Sequence, residues 1–158
     1  MVALNTTLPD EAATLALGAS LARAIEPGLV VYLKGELGAG KTTLVRGVLR
    51  ELGWQGPVKS PTYTLVEVYA VSRLDLHHFD FYRFRDPREW IDAGFRESFN
   101  GLTTSLIEWP EKAAGLLPPA DLEIALALQG TGRSAALTAS STKGERVLTR
   151  LAESRPAS

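Results

Sequence analysis

The sequence predicts an α/β fold in which a mixed central β-sheet is flanked by helices. Short apolar runs typical of strands alternate along the chain with segments whose apolar residues recur every three or four positions, as they do in amphipathic helices. The chain has 158 residues, of which 45% are hydrophobic and 22% are charged. This is the size of one domain that buries a core without disulfides or metal ions, so we expect residues 1–158 to form a single domain.

The first half of the chain predicts a helix, a strand, a loop and a second helix. The helix is expected from Asp10 to Ile25, because Leu17, Leu21 and Ile25 are four residues apart and Pro27-Gly28 follows. The apolar run 29–33 predicts the strand. Together these elements place one layer of helix against one layer of sheet.

The rest of the chain, from residue 64 on, predicts five strands, two helices and a frayed end. The predicted strands are 64–69, 74–81, 105–107 ending at Glu108, 122–128 and 135–139. Strands 64–69 and 74–81 should be antiparallel, because only a short turn at Ser72-Arg73 joins them. One helix should start at Pro87 with Asp86 as its cap and reach Ala93, another should run through 147–151, and residues 154–158 should fray.

Composition excludes several classes of protein. The chain contains no cysteine, so it has no disulfide framework, thiol nucleophile or Cys-ligated zinc site. Its net charge of −1 argues against a domain that holds nucleic acid by general attraction to phosphates. Residues 1–10 lack the pattern of a signal peptide, and no apolar run approaches the roughly 20 residues of a membrane span. We therefore expect a cytoplasmic protein with no membrane contact.

One motif carries most of the functional prediction. Residues Gly35–Thr42 read G-E-L-G-A-G-K-T and fit G-x-x-x-x-G-K-[ST], the phosphate-binding loop or P-loop, at every fixed position. Glycines let the backbone close around phosphates, Lys41 brings a positive charge to them, and the Thr42 hydroxyl is suited to Mg²⁺. The helix predicted from Thr42 to Leu52 would direct the positive end of its dipole at the same phosphates. The predicted fold is therefore a P-loop NTPase-like domain.

Hydrolysis also needs a carboxylate near the metal ion and a group that positions water. Asp80 and Glu108 each end an apolar strand, which is where a Walker-B-type acid would lie. If both strands lie beside the strand of the P-loop, the two carboxylates converge near Thr42. One would then hold the metal and the other would polarise water, and the sequence does not assign the two roles.

Three further groups of polar residues are candidates for function. Lys59–Thr64 contains four hydroxyls and a cation, a composition that favours a nucleotide-sensing loop, with a plain Ser-Pro turn as the alternative. His77 and His78 are neighbours on a strand, so they face opposite sides, and we expect one to face the core rather than to share a metal. Arg83, Arg85 and Arg88 would serve a phosphate, an acidic partner or RNA, or form a solvated basic surface.

Four of these segments together resemble a known family, the small bacterial ATPase of tRNA threonylcarbamoyladenosine biosynthesis. The segments are Gly35–Thr43, Ser60–Val66, His78–Arg83 and Ile107–Lys112. Their order and spacing fit the family throughout. The differences are Glu36 and Phe81, where aspartate and leucine are more usual, and neither removes a ligand.

The resemblance implies a P-loop fold that binds ATP and Mg²⁺ and works with the two-subunit complex that transfers threonylcarbamoyl to adenosine 37 of tRNA. It implies that tRNA is met through that complex and that ATP hydrolysis supports its repeated turnover. Implied catalytic residues are Lys41, Asp80 and Glu108, and implied metal-site residues are Thr42, Glu108 and Asp80. Implied nucleotide contacts are Glu11, Gly35, Gly38, Ala39, Gly40, Lys41, Thr42, Thr43, Trp109, Glu111 and Arg133.

Other functions remain open at this point. A GTPase would carry an Asn-Lys-x-Asp motif, which does not occur in the sequence. A small-molecule kinase needs an acceptor pocket and a lid, for which the short segments leave little room. A non-catalytic nucleotide-dependent assembly factor would have the same P-loop and metal site. Because the sequence commits no arginine to the γ-phosphate, we expect weak hydrolysis in the absence of a partner.

Overall fold

The computed structural model describes residues 3–71, 73–92 and 94–154, and it confirms the mixed sheet flanked by helices. The strands are β1 (Ala3–Leu8), β2 (Val30–Lys34), β3 (Val66–Val71), β4 (Leu74–Asp80), β5 (Thr104–Glu108), β6 (Leu122–Gln129) and β7 (Gly132–Ala139). The α-helices are α1 (Glu11–Ala24), α2 (Lys41–Glu51), α3 (Pro87–Asp92) and α4 (Thr142–Ser154). Two short 3₁₀ helices cover Phe95–Ser98 and Pro110–Ala113.

The seven strands form one sheet in the order β1-β7-β6-β2-β5-β4-β3. Strands β6, β2, β5 and β4 are parallel neighbours, whereas β3, β7 and β1 pair antiparallel at the two sides. In this register Asp80 lies opposite Glu108, and Glu108 lies opposite Leu33, the penultimate residue of β2. The carboxyl ends of three adjacent parallel strands therefore meet at one edge, where α/β sheets bind their ligands.

Helices α1 and α2 cover one face of the sheet and touch each other through glycines. A Cβ atom on Gly18 of α1 would lie 2.4 Å from the backbone oxygen of Leu44 in α2. A Cβ atom on Gly47 of α2 would lie 2.4 Å from the backbone oxygen of Leu15 in α1. The two backbones thus approach as closely as glycine allows, which fixes α2 and the loop before it relative to the sheet.

The other face of the sheet is covered by a cluster of aromatic side chains. Phe79 and Phe81 project from the end of β4 and are fully buried. Their rings contact those of Trp90, Phe95 and Phe99 at centroid distances of 5.5 to 6.2 Å. The two faces of β4 therefore differ, because the alternate residues His78 and Asp80 point toward the α1 and α2 side.

Several sequence predictions need correction. Strand β1 has no counterpart among the predicted elements, although Leu4, Thr6 and Leu8 alternate as strand residues do. The condition that both acid-bearing strands lie beside β2 is met by β5 alone, because β5 separates β4 from β2. Ser154 belongs to α4 rather than to a frayed end. The predictions made for Ser72, Ala93 and residues 155–158 lie outside the described residues.

Candidate functional site

A cleft of about 670 Å³ opens at the carboxyl edge of the parallel strands. Residues of the P-loop, of the ends of β4 and β5 and of the turn before β7 line it. They include Glu11, Gly38, Gly40, Lys41, Thr42, Thr43, Asp80, Glu108, Trp109 and Arg133. Most of the predicted site residues therefore share one cavity.

The P-loop takes its shape from glycines with positive φ. The φ angles of Gly35, Gly38 and Gly40 are 146°, 81° and 104°. A Cβ on Gly35 would lie 2.5 Å from the backbone oxygen of Leu126 in β6, so this position also requires a residue without a side chain. Helix α2 then begins at Lys41, and no side chain caps it. The amides at its start are directed toward the cleft and suit an anion.

Lys41 lies deep in the cleft with only 4% of its surface exposed. Its ammonium group donates to the backbone oxygen of Gly35 and lies 3.9 Å from the centre of the Trp109 ring. Burial lowers the pKa of the lysine, and the negative charges of Glu108, Asp80 and Glu111 oppose that shift. The ammonium group of Lys41 thus contacts a neutral carbonyl and an aromatic ring, and an anion would interact with it more strongly.

Glu108 is the centre of a buried polar cluster. Its Oε2 atom accepts a hydrogen bond of 3.2 Å from the Thr42 hydroxyl and one of 2.6 Å from Nε2 of His78. The carboxylate and the imidazole are 3% and 0% exposed. The structure thus joins a P-loop hydroxyl, a strand-end carboxylate and His78, one of the two neighbouring histidines of which one was predicted to face the core.

Asp80 lies beside this cluster and connects it to the Ser60–Thr64 segment. Its Oδ1 accepts from the Tyr82 amide at 2.9 Å, and Thr62 approaches Oδ2 at 3.5 Å. Burial raises the pKa of Asp80, whereas the Tyr82 amide acts in the opposite direction. Since Ser60 and Thr62 are hydrogen-bonded at 2.7 Å, the segment predicted to sense nucleotides contacts the site through its hydroxyls.

The carboxylates and hydroxyl at this edge suit Mg²⁺ better than zinc. Among the described residues no group of three histidine, cysteine, aspartate or glutamate side chains could hold a metal ion. Mg²⁺ needs only one or two carboxylates when water and phosphate oxygens complete its coordination. Thr42, Glu108 and Asp80 meet that requirement as a donor set.

Two arginines border the cleft from opposite sides. Arg133, on β7, donates to the backbone oxygens of Gly38 and Ala39 at 2.9 and 3.1 Å, and so braces the P-loop. Arg83 lies 4.8 Å over the ring of Tyr63, whose side chain is 83% exposed. The guanidinium group of Arg133 is thus hydrogen-bonded to the protein backbone, whereas that of Arg83 lies at the mouth of the cleft.

Other predicted residues lie away from the lining. Glu111 is exposed and acts on Lys41 only through its charge, and Arg88 is exposed and pairs with Asp86. Sequence reasoning missed Asp10, Thr14, Tyr82, Thr131 and Gly132, which line the cleft. A contact between His78 and Glu108 is visible only once the pairing of β4 with β5 is known, because the two residues are thirty positions apart.

Residues 8–135 match the family model described as threonylcarbamoyl adenosine biosynthesis protein TsaE. The chain belongs to the TsaE family. Relatives named tRNA threonylcarbamoyladenosine biosynthesis protein TsaE include that of Haemophilus influenzae, 42% identical over 153 residues, which cover 94% of this chain and 97% of the relative. The TsaE of Bacillus subtilis is 38% identical over 126 residues, which cover 80% and 77%.

A solved structure has the same fold as this chain. The crystal structure of Bacillus subtilis YdiB superposes with a TM-score of 0.83 at 29% identity, covering 96% of this chain and 95% of the other. The match includes nearly the whole chain, so it confirms the fold class. No helix of the described residues is both long and apolar enough to cross a membrane.

Proposed function

We propose that this TsaE-family chain, acting as one P-loop ATPase domain, binds ATP with Mg²⁺ and hydrolyses it in the formation of N6-threonylcarbamoyladenosine at position 37 of tRNA. Its partner would be the two-subunit complex that transfers the threonylcarbamoyl group, and tRNA would be met through that complex. One observation carries the proposal: Lys41, Thr42, Asp80 and Glu108 converge in one cleft of about 670 Å³.

Binding of the phosphates would rest on the P-loop and Lys41. The uncapped start of α2 offers backbone N–H groups to an anion, and Lys41 supplies the compensating charge. Its present partners are a neutral carbonyl and an aromatic ring, so a charged phosphate would be a better partner for the buried ammonium group. The Trp109 ring, which borders the same space, would remain as a wall of the site.

The metal site would be formed by Thr42 and Glu108, with Asp80 beside them. The hydroxyl of Thr42 and the carboxylate of Glu108 are already within 3.2 Å of each other. Mg²⁺, when bound with ATP, neutralises phosphate charge and polarises the bond that breaks. Asp80 is buried and keeps hydrogen-bonded contact with Thr62, so it is the residue we assign to orienting water or metal-bound groups.

Full activity would require the partner complex. Arginine groups that stabilise the charge of the transition state accelerate phosphoryl transfer by about 10³–10⁵-fold. Arg133 is engaged by the P-loop carbonyls, and Arg83 lies over Tyr63 at the mouth of the cleft. We therefore propose that docking of the partner either supplies a cation or moves Arg83 toward the nucleotide.

Phosphate release tests the proposal directly. We expect release from ATP to be slow with the isolated chain and to rise when the transfer complex and tRNA are added, with less release from GTP. Lys41→Ala should lower the rate at least about a hundredfold, because it removes a charge aimed at the transferred group. Lys143→Ala, on α4 and outside the cleft lining, is the matched control and should retain the wild-type rate.

A second pair of variants tests the metal site. Glu108→Gln should raise the Mg²⁺ concentration required for turnover, whereas Glu153→Gln, at an exposed position of α4, should not. Unchanged Mg²⁺ dependence in Glu108→Gln would remove that residue from the metal site. Tight ATP binding without phosphate release under any condition would instead identify a nucleotide-dependent assembly factor, whose site would look the same.

A further inference from the structure

We infer that His78 is a positioning residue for Glu108: its Nε2–H group fixes the carboxylate so that the Thr42–Glu108 pair is ready to receive a divalent cation. This rests on the proposed function, because it assigns a role to a neighbour of the proposed metal site. The hydrogen bond between Nε2 and Oε2 is 2.6 Å long, and both side chains are almost completely buried.

The register of the sheet places the two groups together. His78 of β4 pairs with Leu106 of β5, and Asp80 pairs with Glu108 two residues further along both strands. Because side chains alternate between faces along a strand, all four residues point to the same side of the sheet. The imidazole therefore lies two residues before the Asp80–Glu108 pair, on the side of the carboxylate that faces away from the cleft. It does not line the cavity.

The hydrogen-bonding capacity of the imidazole fixes the direction of the contact. A carboxylate only accepts hydrogen bonds, so Nε2 must donate to it. The other nitrogen, Nδ1, is buried and has no hydrogen-bond partner within the described ranges 3–71, 73–92 and 94–154. A buried nitrogen without a partner is unfavourable. The ring nevertheless keeps the orientation in which Nε2 contacts Glu108.

The contact also organises the carboxylate itself. Both the imidazole and the Thr42 hydroxyl reach Oε2, and no hydrogen bond from a described residue reaches Oε1. One oxygen is thereby held and the other is left for a ligand from the cleft. Partners of this kind, hydrogen-bonded to a metal ligand, typically change metal affinity or activity about 10–100-fold when they are replaced.

Variants of His78 with matched geometry test the inference. The side-chain nitrogen of glutamine is as many bonds from Cα as Nε2 of histidine, whereas that of asparagine matches Nδ1. We expect His78→Leu and His78→Asn to raise the Mg²⁺ concentration needed for tight ADP binding by roughly 10–100-fold. His78→Gln should recover most of this loss. Calorimetry of ADP with and without Mg²⁺ measures the shift, and affinity without Mg²⁺ should stay at the wild-type value in all three.

A measurement without nucleotide gives independent evidence. Nitrogen NMR of the imidazole should find the proton on Nε2 in the wild type, and Glu108→Gln should shift that signal. A proton found only on Nδ1 would overturn the inference, as would equal behaviour of the asparagine and glutamine variants. A loss of ADP affinity that is the same with and without Mg²⁺ would also overturn it, since that result indicates a structural role only.

These results separate the inference from the proposed function. If the wild type binds no nucleotide with Mg²⁺, the proposed function fails and the role assigned to His78 fails with it. If the wild type binds normally and His78→Leu has an unchanged Mg²⁺ requirement, only the role of His78 is overturned. Should the leucine variant not fold, the comparison of His78→Gln with His78→Asn and the NMR measurement still decide.

Discussion

The contact between α1 and α2 makes Gly18→Ala a sharp test of how the P-loop helix is held. The added Cβ would lie 2.4 Å from the oxygen of Leu44, 2.9 Å from the nitrogen of Val48 and 3.0 Å from Cα of Gly47. All three are backbone atoms, so rotation of a side chain cannot relieve the clash. To reach an ordinary contact of 3.4 Å from the nearest atom, the helices must separate by about 1 Å.

The expected loss of stability is the difference between two effects. Overpacking a close contact costs about 1–3 kcal/mol, and a clash with backbone atoms belongs at the upper end of that range. Alanine in place of glycine within a helix recovers about 1 kcal/mol. We therefore expect Gly18→Ala to lower the free energy of unfolding by about 2 kcal/mol, and Tm by about 4–8 °C for a chain of this size.

Urea and thermal unfolding followed by circular dichroism measure this change. Ala16→Gly, at an exposed position of the same helix, measures the propensity effect alone and should cost about 1 kcal/mol. Since Leu44 is in the first turn of α2, the displacement should also weaken ADP binding about tenfold. A Gly18→Ala protein as stable as the wild type would refute the argument from close packing. Lost stability with unchanged ADP affinity would refute the coupling to the P-loop.

Two further predictions concern charged groups. Arg133→Ala should weaken ADP binding about tenfold, because the P-loop loses charge-assisted hydrogen bonds. Arg133→Lys should not restore the affinity, since lysine lacks the planar fork of arginine. Calorimetry measures both variants, with Arg96→Ala at an exposed position as the control. Hydrogen bonds from Arg146 and Arg150 lower the pKa of Glu26 from 4.5 to about 2. Its stabilisation is present above pH 4.5 and is lost as the pH falls through 2. Because both arginines are about half exposed, Glu26→Gln should cost only about 1 kcal/mol at pH 7 in urea unfolding, with no cost expected below pH 2.

The sequence predicted what depends on local patterns. The P-loop, the helix that follows it and the start of α1 depend on residues close together in the chain, and they were predicted within a residue or two. The structure adds that Asp10, predicted as the first helical residue, is the cap of α1. The antiparallel pairing of β3 with β4 was also predicted, because a short turn leaves no other geometry. Asp80 and Glu108 were recognised as strand-end acids by the same local reasoning.

The order of the strands could not be predicted, because it depends on pairings between distant segments. Placing β5 between β2 and β4 is what brings Glu108 to Thr42 and sets Asp80 one strand further away. The partnership of His78 with Glu108 follows from the same pairing and has no local signal. The bracing of the P-loop by Arg133 likewise requires β7 to lie next to β6 on the far side of the loop.

Among the described residues, positive φ angles at residues other than glycine occur at Leu65, with 69°, and Trp109, with 57°. Such backbone conformations cost of the order of 1–3 kcal/mol each. The ring of Trp109 contacts Lys41, and the backbone oxygen of Leu65 accepts from the amide of Asp80. Both side chains pack against the aromatic cluster, so glycine would relieve the strain but would also lose those contacts. A screen for heat resistance alone should therefore retain both residues, and with Trp109 the aromatic wall beside the lysine.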